Sequence, residues 1–269
     1  MEGTLSAAAL LRFYLDCGVD ECVDDVTLDR LALTEKQDVL PLAKTLTAVL
    51  PQQSAAEPAL ASGTLEALGD ARALAASATS LEDLRDKINS FQGLAIKRTA
   101  TQIVFADGVA GAKIMLVGEA PGGDEDRLGR PFVGVSGQLL DRMLAAIGLD
   151  RASNVYISNV INWRPPGNRV PSDAEIALSL PFIERHIELA NPALLVFVGG
   201  VATKALMQTT QGITRLRGRF VDYKTPNMTT AIPAMPLFHP AYLLRSPAQK
   251  GLALADLLAL KARAVEMGI

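Results

Sequence analysis

The feature that most constrains the fold is a series of short apolar runs separated by longer amphipathic stretches. The runs are Ile103–Phe105, Lys113–Val117, Val155–Val160, Leu194–Val198 and Met235–Phe238. The amphipathic stretches lie at Gly137–Ile147, Asp173–Ala190, Gly200–Leu206 and Gly251–Glu266. A short apolar run without polar alternation reads as a strand buried on both faces. Such strands, alternating with helices, predict an α/β fold with a mostly parallel sheet covered on both sides. In sheets of this kind ligands sit beyond the carboxyl ends of the strands. The residues that follow each run are therefore the ones to read for chemistry.

The 269 residues are 49% hydrophobic, enough for a core of about 200 residues plus an appendage. The net charge of −3 hides a split. Residues 1–80 carry 5 basic and 12 acidic side chains, residues 81–269 carry 21 and 17. A basic C-terminal part is compatible with a nucleic-acid partner. Residues 1–50 read as an acidic helical extension, with an apolar stripe at Leu10, Leu11, Tyr14 and Leu15. Residues 51–79, rich in Ala, Pro and Ser, read as a linker. The main domain is expected over 80–269, opening on a helix capped by Thr79 or Ser80. No stretch has the roughly 18 apolar residues that a membrane span needs. The N-terminus does not read as an export signal, so a cytoplasmic, reducing compartment is expected, with Cys17 and Cys22 as ordinary thiols.

Three segments carry candidate chemistry. The first is KIMLVGEAPGGDEDRLGRPFVGVSG (113–137), where a strand runs into a glycine-rich turn followed by acids. It is neither a GxGxxG motif nor a P-loop, and by itself it fits either a phosphate cradle or an ordinary βα loop. The second is VYISNVINWRPPGNRVP (155–171). Asn159, at the end of its strand, offers a donor and an acceptor together, which fits either reading a base edge or tying down its own loop. The third is LFHPAYLLRSP (237–247). Its His239 opens a loop and is the better candidate for chemistry. His186, the second of two histidines, sits in a helical pattern and reads as structural. Leu243 and Leu244 fit either a core or a wedge for a base stack. A basic cluster, Arg215, Arg217 and Arg219, fits either a solvated face or a backbone contact.

Taken together and in order, GEAPG (118–122), GRPFVGVSG (129–137), YISN (156–159), RPPGNRVP (164–171) and HPAYLLR (239–245) resemble the uracil-DNA glycosylase superfamily, family 4 most closely. The resemblance covers roughly residues 85–265. It implies a three-layer α/β/α sandwich with a short, mostly parallel central sheet. It also implies a monofunctional DNA glycosylase of base excision repair, acting on uracil-containing DNA as a monomer associated with the bacterial nucleoid, without membrane contact. By the same resemblance Gly118, Phe132 and Asn159 bind the uracil, and Glu119, Glu125 and His239 are catalytic. Glu119 is favoured for the water and Glu125 for supporting the loop. Leu243 and Leu244 would fill the gap the base leaves; from their own charge and place, Arg164, Arg169, Arg217 and Arg245 are the candidate DNA contacts. A catalytically silent binding module of the same fold and a nucleotide-binding α/β enzyme are the competing readings.

One departure stands out. Family 4 enzymes hold an iron–sulfur cluster on four cysteines. Two fall near Phe91–Leu94 in this sequence, the others at Trp163 and about Ser179, and none is cysteine here. The expectation is therefore no cofactor, with Trp163, Phe91 and Leu94 packing in place of the cluster.

Overall fold

A computed structural model describes residues 62–269. The acidic helical extension expected over 1–50, both cysteines and the first part of the expected linker lie outside the described residues. Six strands form one sheet: β1 (Ala106–Gly108), β2 (Ile114–Gly118), β3 (Val155–Asn159), β4 (Leu194–Val198), β5 (Val221–Tyr223) and β6 (Ile232–Leu237). Their order is β1-β3-β2-β4-β6-β5. The four inner strands are parallel, and the three-residue strands at each edge run antiparallel. Nine α-helices are described: α1 (Ser62–Ser77), α2 (Leu81–Ser90), α3 (Gly123–Leu128), α4 (Val135–Ala145), α5 (Asp173–Ala190), α6 (Gly200–Met207), α7 (Ile213–Leu216), α8 (Pro240–Arg245) and α9 (Lys250–Glu266).

The layers follow from the two-residue period of the strands. Met115 and Val117 of β2, with Leu195 and Phe197 of β4, join a core with Leu178, Phe182 and Ile187 of α5. Ile114 and Leu116, with Leu194 and Val196, face the other way, against Leu140 and Leu144 of α4 and Leu257 and Leu260 of α9. Every residue of β2, β3 and β4 is buried, as expected for strands covered on both faces. Helix α5 opens on a capping box. The Ser172 hydroxyl accepts from Glu175 N, and Glu175 Oε2 accepts from Ser172 N at 2.8 Å.

Two expectations are corrected. The stretch read as a linker contains α1 over Ser62–Ser77. Alanine is the best helix former, and the buried Ala71 and Ala75 give α1 a small-residue face that packs in the same core as α5. Arg185 then closes the end of α1 by donating to Ala78 O at 3.0 and 2.6 Å. The first strand is Ala106–Gly108 rather than 103–105. Val104 is buried and exchanges hydrogen bonds with Asn162 instead of joining the ladder.

Candidate active site

The carboxyl ends of the inner strands open into a cleft of about 790 Å³, lined by Glu119, Gly122, Glu125, Phe132, Asn159 and His239 among others. Three sequence-distant segments meet here because β2, β3, β4 and β6 end side by side. β2 delivers Gly118 and Glu119, β3 delivers Asn159, and the turn after β6 delivers His239.

Asn159 is 2% exposed, and its buried Oδ1 meets no hydrogen-bond donor among the described residues. An unpaired buried carbonyl oxygen costs about 1–3 kcal/mol, so this atom is kept against a penalty. Gly118 makes the close approach possible. A Cβ there would lie 2.4 Å from Asn159 Oδ1 and 2.5 Å from Phe132 Cζ. Only glycine fits between the amide and the ring. Phe132 has φ of 53°, a left-handed conformation that an aromatic residue rarely adopts. Its ring stands 5.5 Å from that of His239.

His239 caps α8, and its Nδ1 accepts a hydrogen bond from Ala241 N at 3.1 Å. An accepting Nδ1 carries no hydrogen, so the neutral ring holds its proton on Nε2. Burial, then the positive Arg245, lower the affinity of His239 for a second proton to a pKa of about 4, with Glu125 opposing. The ring is therefore a neutral donor at physiological pH. The two acids differ in kind. Glu125 Oε1 accepts from Val133 N and Gly134 N at 2.9 Å each, and its Oε2 accepts from Gly122 N at 3.1 Å. That carboxylate is committed to shaping the loop. Glu119 stands at the cleft wall, and burial raises its carboxyl above the ordinary range.

The profile of the Uracil DNA glycosylase superfamily matches residues 105–259. The chain belongs to the uracil-DNA glycosylase superfamily. It is 36% identical over 173 residues to the type-4 uracil-DNA glycosylase of Sulfurisphaera tokodaii, covering 62% of this chain and 77% of that protein. Those of Thermotoga maritima (35%, covering 62% and 84%) and Archaeoglobus fulgidus (37%, covering 62% and 85%) are similarly related. In each case most of the relative's own length is matched, so the likeness spans a whole domain.

These relatives correct the expectation of no cofactor. They are type-4 enzymes, the class that holds an iron–sulfur cluster, so kinship argues for a cluster and not for its loss. The residues at the ligand positions do not themselves fit that group. Phe91, Leu94 and Trp163 are 5%, 4% and 4% exposed and pack in one core. Ser179 offers a buried hydroxyl with no partner among the described residues, and none of the four positions supplies a thiolate.

The residues expected to meet DNA are less uniform than the sequence suggests. Arg164, Arg169 and Arg245 lie at or beside the cleft, but two are engaged. Arg164 donates to Asn168 Oδ1 at 2.7 Å, and Arg169 makes a double contact with Glu175 at 2.8 and 2.7 Å. Arg245 is exposed, lines the cleft and has no ion-pair partner among the described residues. Arg217 is engaged as well. Its guanidinium is held by both oxygens of Asp256 and lies 5.2 Å over the Phe238 ring. Leu243 is corrected as a wedge. It is 1% exposed and packs with Phe238 and Ala253, whereas Leu244 is 38% exposed. The sequence reading missed three residues. Lys204 and Ile213 line the cleft from α6 and α7, signalled only by their place after β4. Arg151 binds the carbonyls of Pro131 and Phe132, and no motif marks it.

Proposed function

We propose that the protein hydrolyses the N-glycosidic bond of uracil in DNA, the opening step of base excision repair. The observation that carries this reading is the buried Asn159 Oδ1, which meets no donor among the described residues and flanks Gly118 together with the Phe132 ring. Uracil N3–H is the donor that this oxygen lacks, and the amide nitrogen of the same side chain suits O4. Cytosine presents the reverse pattern and would leave the buried amide mispaired, a penalty that can discriminate by a large factor.

The base must leave the stack to reach this depth, at a cost of a few kcal/mol. Phe132 receives it by stacking. As the C1′–N1 bond breaks, negative charge grows on the base, and His239 Nε2–H donates to O2. A neutral donor at a developing anion is an electrostatic stabiliser and needs no proton transfer. Glu119 orients the water that attacks C1′ and faces the positive charge growing on the sugar; the proton that the water sheds neutralises the departing uracil anion. Glu125 keeps the loop of Phe132 in shape. Arg245, Arg164 and Arg169 meet phosphates, and Leu244 fills the gap that the base leaves. Every one of these groups comes from one chain, so the reaction needs only a monomer. The DNA substrate sets the work at the chromosome, in the cytoplasm. No helix among the described residues is long and apolar enough to cross a membrane.

The test is incubation with a fluorescent single-stranded oligonucleotide containing one uracil, followed by alkali. A strand break at the uracil, absent with thymine in its place, is expected. A folded protein that leaves both single- and double-stranded uracil substrates intact would refute the reading.

A further inference from the structure

Phe132 combines two features that do not normally occur together. It is a bulky aromatic residue with φ of 53°, and it forms a wall of the cleft. Without support, the turn 131–134 would relax toward negative φ and swing the ring away from Gly118. Support comes from both sides. On the amide side, Glu125 Oε1 accepts from Val133 N and Gly134 N. On the carbonyl side, Arg151 Nη1 donates to Pro131 O at 3.0 Å and Nη2 donates to Phe132 O at 2.7 Å. The guanidinium is itself fixed. Its Nη1 also donates to Asp107 Oδ2 at 2.8 Å, and its Nε donates to Asp141 Oδ1 at 2.9 Å. Asp107 belongs to β1 and Asp141 to α4, so the arginine ties the turn to the sheet edge and to a helix. The floor is equally close. A Cβ on Gly137 would lie 1.9 Å from Phe132 O.

We infer that Arg151 is a positioning residue for uracil excision, acting through the Phe132 ring from outside the cleft. This rests on the reading of Phe132 as the stacking platform. The planar guanidinium is suited to the task, because it satisfies two adjacent carbonyls and two carboxylates at fixed angles, which a lysine ammonium cannot do. The strained turn is thereby set before DNA arrives, and the base meets a ring already in place.

The experiment is a double-mutant cycle in the full chain. Single-turnover excision from a single-stranded uracil oligonucleotide, and inhibition by free uracil, are measured for Arg151→Met, Phe132→Ala and the pair. Arg151→Met is expected to slow excision at least tenfold and to weaken inhibition by uracil, yet to add less than twofold to either in the Phe132→Ala background. Arg151→Lys is expected to recover less than half of the loss. A merely structural arginine would lower both backgrounds alike, so additive losses would overturn the inference, as would full rescue by lysine. Should Arg151→Met not fold, Asp141→Asn takes its place. It leaves the arginine but loosens its grip, and a smaller loss that again vanishes with Phe132→Ala is expected. Equal loss in both backgrounds, or none, overturns the inference. If Phe132→Ala alone keeps the wild-type rate, the platform reading fails, an outcome distinct from failure of Arg151 alone.

Discussion

Replacing Asn159 by alanine separates a residue kept for function from one kept for the fold. Its Oδ1 is buried and meets no donor among the described residues, an unmet cost of about 1–3 kcal/mol. Truncation removes that cost and also some packing, and the two changes oppose each other. Stability is expected to stay within about 1 kcal/mol of wild type. For a domain of this size that is a shift in Tm of roughly 2–4 °C. The reaction responds very differently. With the amide gone, uracil N3–H and O4 are desolvated beneath Phe132 with nothing to bond. At about 1–2 kcal/mol for each unpaired group, the loss is about 2–4 kcal/mol, or roughly 30- to 1,000-fold in excision rate. The assay is single-turnover cleavage of the uracil oligonucleotide with enzyme in excess, beside a thermal melt of the same preparation. A rate within threefold of wild type would show that the base is read elsewhere. A melt lowered by ten degrees or more would show that the amide serves the fold, and the argument from its unpaired oxygen would fail.

Three further outcomes are expected. His239→Ala removes one preorganised donor from the leaving base and should slow excision about 10²- to 10³-fold with little change in DNA affinity measured by anisotropy. Stability should fall as pH drops below about 6.5. Burial lowers His239 to about 4 and His186 to about 3, so between these values and the unfolded value of 6.5 the unfolded chain binds two protons that the folded one refuses. The slope should approach roughly 2.7 kcal/mol per pH unit near pH 5, read from urea melts, and His186→Gln should lower it. Leu243→Ala should cost about 2–5 kcal/mol in the same melts, because it opens a cavity beside Phe238 and Ala253. Leu244→Ala should leave the melt unchanged and slow excision from duplex more than from single strands, since only a duplex has a stack to fill.

The strands β2, β3 and β4 and the helices around them were legible because each announces itself locally, by an apolar run or a helical stripe. The same holds for Gly118, Asn159 and His239, since any residue just past a parallel strand is delivered to the same end of the sheet. What failed to read was the part decided by partners distant in sequence. Nothing local distinguishes the exposed Leu244 from the buried Leu243, since a six-residue helix has too few turns to show a face. Arg217 looked like one of three free cations until Asp256, 39 residues later, was folded against it. The alanine-rich α1 resembled a linker because its buried face is made of small side chains that matter only once α5 lies across them.

Arg151 is the clearest case of this kind. Its partners Asp107, Pro131, Phe132 and Asp141 are scattered over 35 residues, and its neighbours in sequence say nothing of them. The side chains that end the parallel strands are brought to one cleft by topology, and a sequence can name those positions. The side chains that hold those in a strained, productive geometry are fixed by tertiary closure, and they become visible only when a main-chain outlier such as Phe132 is traced back to whatever restrains it.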